Sequence, residues 1–158
     1  MLGKITKNDQ HFTVTMERMY PHAVEKVWAY LTENDKLQQW FPELAVESLQ
    51  VDGRITFDMG DGSFEDMKIL ALEPQRLLEF TWDRDVVAFE LEQTAEGCRV
   101  VFVEKLSTIT DHTPRDLAGW HICLDAISTL LNGKELVDHK SEWKGLYEQY
   151  REALRPFS

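Results

Sequence analysis

The chain has 158 residues, an ordinary apolar content of 43%, and 28 acidic against 17 basic side chains, a formal net charge of −11. That length suits one domain with a sizeable core. The charge argues against nucleic acid or a membrane as partner, since nucleic acid and anionic lipid both require a basic face. No run approaches the roughly 18 apolar residues of a membrane span. The N-terminus MLGKITKNDQHF lacks a signal-peptide core. Cys98 and Cys123 form no Cys-x-x-Cys pair and read as reduced thiols. The expectation is a soluble, cytoplasmic protein.

In chain order, residues 1–11 read as a polar lead-in and Phe12 opens a first strand, FTVTMERMY, ended by Pro21. HAVEKVWAYLT comes next as a short helix with Val24, Val27, Trp28 and Leu31 on one face, and DKLQQWF as a second, closed by Pro42. The middle alternates apolar and polar residues between turn signals: LAVESLQV, Asp52-Gly53, RITFDM, Gly60-Asp61-Gly62, SFEDMKILALE, then RLLEFTW, VVAFELEQ and CRVVFVEKL. These make about seven strands in all, and their short connections imply an antiparallel meander. Thr113 to Gly133 reads as one long helix, with Thr113 as N-cap, Pro114 at the first position, Asp116 at capping-box spacing and Gly133 as the stop. Leu117, Trp120, Leu124, Ile127 and Leu131 make its apolar stripe. SEWKGLYEQYREAL predicts a last helix through Trp143, Leu146, Tyr147, Tyr150 and Leu154. The expected organisation is one domain over 1–158, with a core at about 12–133 and a helical extension at about 134–158.

Four segments carry a family resemblance. Arg18 with Glu25-Lys26-Val27-Trp28 is similar to an R-x-I-x-A-P-x-E-x-V-W start, with Tyr20 at the Ile position and His22-Ala23 where the family usually has Ala-Pro. Asp35 to Trp40 fits D-x-x-x-x-W; Glu73-Pro74, Arg76, Leu78 and Phe80-Thr81-Trp82 fit E-P-x-R-x-L-x-F-T-W; Gly119-Trp120 and Leu124 fit G-W-x-x-x-L-x-x-L, with Ile127 at the last position. Together they span about residues 12–133, and in this order and spacing the chain resembles the START-like helix-grip (SRPBCC) superfamily. Within it, the chain looks most like the activator-of-Hsp90-ATPase homologues, relatives of the polyketide cyclases. The resemblance implies an α+β helix-grip fold: a curved antiparallel sheet of about seven strands wrapped around a long C-terminal helix, with two short helices after the first strand.

A sheet gripping a helix leaves room for a cavity, and alternation assigns its walls. Val100, Phe102 and Glu104 share one face, Val87, Phe89 and Leu91 another, and Leu78, Phe80 and Trp82 a third, with Trp120, Leu124 and Ile127 opposite and Trp40 and Phe41 at one end. The candidate ligand-binding residues are therefore Trp40, Phe41, Phe80, Trp82, Phe89, Val100, Phe102, Glu104, Trp120, Leu124 and Ile127; the same pattern also describes a packed core. Glu104 stands where many family members carry a His, and facing inward it would have a raised pKa. His121 neighbours Trp120 and reads as a structural or surface histidine, and Arg18 as half of a salt bridge at the sheet surface. None of His11, His22, His112, His121 and His139 has ligand spacing, and no phosphate loop or nucleophile elbow is present, so no metal, no cofactor and no covalent catalysis are expected. The expected partner is a small hydrophobic molecule, lipid-like or aromatic. The alternatives are a chaperone contact, as the family name implies, and a polyketide cyclase/aromatase-like reaction using Glu104 with His121 or Tyr20.

Overall fold

The computed structural model describes residues 2–136 and 140–157, and His139 lies outside them. Its eight strands are β1 (Lys4–Asn8), β2 (His11–Tyr20), β3 (Leu44–Val46), β4 (Arg54–Asp58), β5 (Phe64–Glu73), β6 (Leu77–Trp82), β7 (Asp85–Thr94) and β8 (Gly97–Leu106). The helices are α1 (Val24–Thr32), α2 (Asn34–Trp40), α3 (Thr113–Leu131) and α4 (Lys140–Leu154), with a last 3-10 turn at Arg155–Phe157. All strands join one antiparallel sheet in the order β1-β2-β8-β7-β6-β5-β4-β3. The helix-grip architecture is the one the sequence implies.

Two strand boundaries differ from the sequence reading. The lead-in includes β1, which pairs with β2 from Lys4 opposite Thr15 to Asn8 opposite His11. An edge strand takes its stability from backbone pairing, so it needs little apolar pattern, and only Ile5 within it packs on the core. LAVESLQV is a strand only at Leu44–Val46. Beyond it, Ser48 Oγ accepts from the Arg54 N–H at 2.8 Å and Gly53 N–H donates to the Gln50 carbonyl at 2.8 Å, closing a loop. A Cβ at Gly53 would stand 2.0 Å from the Ser48 carbonyl oxygen, so this loop requires glycine there.

Register carries the inward face across the sheet. Glu104 is opposite Val14 on β2 and Val87 on β7; Phe102 is opposite Met16 and Phe89; Val100 is opposite Arg18 and Leu91. Against this face lies α3, whose 19 residues span about 28 Å. Its predicted stripe of Leu117, Trp120, Leu124, Ile127 and Leu131 is buried. Its C-terminus closes as a Schellman motif, with Gly133 at φ 72°, Gly133 N–H on the Leu130 carbonyl and Lys134 N–H on the Thr129 carbonyl, both at 3.0 Å. Lys26 Nζ donates to the last-turn carbonyl of Leu131 at 3.0 Å, which ties α1 to the same end.

The N-terminus of α3 differs from expectation. His112 occupies the N-cap and Thr113 is already helical; its hydroxyl accepts from the Thr110 N–H at 2.9 Å, so no side chain caps the helix. Asp116 is likewise no capping-box residue: its carboxylate accepts a hydrogen bond from Trp82 Nε1 at 2.9 Å, across to the sheet.

Helix α4 docks on α3 through Leu146, Tyr150 and Leu154, one residue per turn. Tyr150 is fully buried and its hydroxyl accepts from the Gly3 N–H at 2.9 Å and meets His121 Nδ1 at 2.8 Å. One hydroxyl thus joins the N-terminus, α3 and α4.

Candidate functional site

The eleven predicted site residues come together between the sheet and α3. Nine are buried, and Phe41 and Trp82 are partly buried at the end nearest the start of α3. There the rings fill the space. Trp120 lies 4.9 Å from Trp82, 4.8 Å from Phe102, 5.8 Å from Phe41 and 6.0 Å from Phe89, centroid to centroid, edge-on to Trp82 and Phe89 and tilted against Phe41 and Phe102. Such pairs each contribute about 0.5–1.5 kcal/mol beyond their area burial. The void that remains, bounded by residues such as Leu37, Trp40, Phe80, Phe89 and Trp120, is about 10 Å³. That is the threshold for a single water, and its walls are apolar. Side chains occupy the volume that a ligand cavity would need.

The polar groups of this interior are the exception to its packing. Glu104 is completely buried, and neither of its carboxyl oxygens meets a donor among the described residues, although its acid proton has Asp116 as an acceptor; Trp120 Nε1 meets no acceptor among them. Burial pushes the Glu104 carboxyl well above the usual carboxylate range, and the nearby negative charges of Asp116 and Asp85 push it further. Both effects favour the protonated form of Glu104, whose proton can be given to Asp116 in a hydrogen bond. Asp85 is also raised, chiefly by burial, although Ser107 donates to its Oδ1 from both backbone N–H (3.0 Å) and hydroxyl (3.2 Å).

Local structure explains this convergence. Asp85 lies opposite Trp82 across the β6–β7 turn and two residues before Val87, hence on the face that carries Glu104. Asp116 stands one turn before Trp120 on α3. A cleft of about 360 Å³, lined by Trp82, Asp85, Ser107, His112 and Asp116 among others, opens this end of the interior to solvent.

The partners that the sequence offered Glu104 lie elsewhere. Tyr20 is opposite Cys98, six residues and about 20 Å along β8 from Glu104. Its hydroxyl donates to the Leu124 carbonyl at 2.7 Å. His121 is bound to Tyr150, and its Nε2 lies 3.3 Å from Arg18 Nη2 and 3.8 Å from Asp125. Arg18 is not on the outer surface. Opposite Val100 it sits on the inner face under α3, 3.7 Å from Asp125; the outer pair is Glu17 with Arg99, at 2.8 Å. Its guanidinium has only donors, so His121 Nε2 must accept, Nδ1 must carry the proton, and the imidazole is neutral. Burial and the Arg18 charge lower its pKa to about 4.

Asp116 is the residue that sequence reasoning missed. Its cap-like spacing concealed the one available signal, a carboxylate four residues before Trp120 on the apolar face. Among the described residues, no three His, Cys, Asp or Glu side chains gather closely enough to hold a metal ion. No described helix is long and apolar enough to cross a membrane.

Comparison with solved structures places these features in a wider group. The chain is similar to the conserved protein of unknown function EF2215 from Enterococcus faecalis, with 30% identity, a TM-score of 0.89, and coverage of 99% of this chain and 92% of that one. That likeness takes in β1 and α4. Protein MLL2253 from Mesorhizobium loti is similar at 26% identity with a TM-score of 0.64, over 78% of this chain and 99% of that one. CalU16 from Micromonospora echinospora shares the fold at 18% identity, with a TM-score of 0.70 over 96% and 91% of the two chains. A search of proteins of curated function returns no match. The profile of the Activator of Hsp90 ATPase homolog 1-like proteins matches residues 21–132, from the turn before α1 to the end of α3. This chain belongs to that family.

Proposed function

We propose that this protein binds a small, largely apolar, planar molecule between the sheet and α3, admitted through the cleft at Trp82 and Asp116. The observation that carries the reading is the set of buried polar atoms beside the aromatic cluster, Glu104 Oε1 and Oε2, which meet no donor among the described residues, and Trp120 Nε1, which meets no acceptor among them. Each such group costs about 1–3 kcal/mol when left unpaired. A ligand that supplies the partners recovers that cost. Because the residual void is only about 10 Å³, binding requires the rings of Trp120, Trp82 and Phe41 to move apart. The aromatic cluster is then the ligand-facing wall in the bound state and the plug in the free state.

Intrinsic tryptophan fluorescence, titrated with naphthalene, flavone and a medium-chain fatty acid, tests this directly. The expected result is a saturable change with at least one of these compounds, a rise in Tm with ligand concentration, and loss of most of the fluorescence response in Trp120→Phe. No saturable change with any of them, in protein that unfolds cooperatively, would remove the reading and turn attention to protein partners.

A further inference from the structure

The polar end of this site has a chemical preference, one that rests on the ligand binding proposed above. Its carboxyl oxygens outnumber the donors bound to them, although Arg84, His112 and the hydroxyls of Thr108, Thr110 and Thr113 also line the cleft. Both Ser107 bonds fall on Asp85 Oδ1 and the Trp82 bond falls on Asp116 Oδ1. Glu104, buried beside Asp116, brings two further oxygens that meet no donor among the described residues. The charges acting on Glu104 are those of Asp116 and Asp85, both negative. Among the described residues no three such groups could hold a metal ion, which demands oxygens at about 2.0–2.6 Å. An ammonium group on an organic body is larger and donates along several directions at once. Trp82, beside Asp85 and touching Trp120, offers an aromatic face of the kind that attracts a cation. The net charge of −11 favours the approach of a cation.

We infer that the ligand carries a protonated amine, held head-first in the cleft by Asp116 and Asp85, in front of the buried Glu104, with its apolar body against Trp82 and Trp120. Arrival of the ammonium stabilises the Glu104 carboxylate, so Glu104 gives its proton to solvent: neutral acid and ammonium become a carboxylate–ammonium pair plus one released proton. The groups that bear on this step from the surrounding elements are Asp116 and His112 at the start of α3, Asp85 at the start of β7, Asp83 and Arg84 in the β6–β7 turn, and Ser107 after β8. Val14 and Val87, opposite Glu104 on the flanking strands, do not titrate.

The test is isothermal titration calorimetry with 1-naphthylmethylamine and its neutral counterpart 1-naphthalenemethanol, at pH 7 in two buffers of different ionisation enthalpy. The amine is expected to bind about tenfold to hundredfold tighter than the alcohol, with release of up to one proton per site. In Glu104→Gln the proton release is expected to vanish, and in Asp116→Asn the preference is expected to fall about tenfold. The wild-type proton count decides the matter even if a variant fails to fold. Equal or tighter binding of the alcohol would overturn the amine preference while leaving ligand binding intact. Amine binding without proton release would overturn the role given to Glu104. Binding of neither probe, alongside a saturable response to the neutral panel, would overturn the cationic ligand alone.

Discussion

At the scale of single residues, Glu104 is a buried acid that the fold tolerates at a cost. Its folded pKa lies above the ordinary 4.5, so between that value and the folded pKa the native state holds a proton that the unfolded chain has lost. Stability therefore declines as pH rises through this window, and the full penalty is present above it. Glu104→Gln keeps the shape and removes the charge. The variant is expected to match wild type near pH 4 and to exceed it by about 1–3 kcal/mol at pH 8, measured by urea unfolding at the two pH values. A gain of equal size at both would mean that Glu104 is charged throughout, or solvated. Alternation on β8 put this residue on one face with Val100 and Phe102, but did not show whether its head, near the strand end, would be buried or in water. Its neighbour Asp116 was not legible, because the Trp82–Asp116 bond joins positions 34 residues apart and a helix-cap pattern explains the same letters locally.

At the scale of elements, the Tyr150 hydroxyl on α4 ties the N-terminal segment at Gly3 to His121 on α3. The His121 pKa is lowered to about 4 from an unfolded value near 6.5. As pH falls from about 6.5 to 4 the unfolded chain gains the proton first, so this group withdraws stability on acidification, the opposite sign to Glu104. Histidine resonances followed by NMR should show His121 still neutral at pH 5. Tyr150→Phe, which strips the partner of Gly3 and His121, is expected to cost about 1–3 kcal/mol in urea unfolding at pH 7. Titration of His121 near pH 6.5 would instead mean that α4 does not seal it. The sequence showed α4 through the spacing of Leu146, Tyr150 and Leu154, and α3 through its stripe and Gly133. It did not show β1, whose backbone pairing leaves almost no side-chain signature, nor the loop after Val46, where apolar Leu49 and Val51 stay exposed. Those two continued an alternating pattern without a strand to pair with.

At the scale of the whole molecule, periodicity foretold which aromatic residues would meet but not whether they would line a space or fill it, because both arrangements bury the same faces. The strand order was legible from the short turns, with one exception that no local signal marks. Six of the seven strand pairings join neighbours in the chain, and the seventh, β2 with β8, joins residues about 80 to 90 positions apart. That closure confines a long loop at about 4 kcal/mol of chain entropy, a cost that belongs to the time course of folding. The β3–β8 meander can zip up turn by turn, while β2 must wait for it. Val87→Ala on β7 is accordingly expected to slow folding, with a φ-value of about 0.5–0.8, whereas Val14→Ala on β2 should mainly hasten unfolding, with a φ-value below about 0.3. Stopped-flow chevrons of the two variants measure both. With this order of events, the seam that shuts last in folding also opens first, and it runs alongside Glu104.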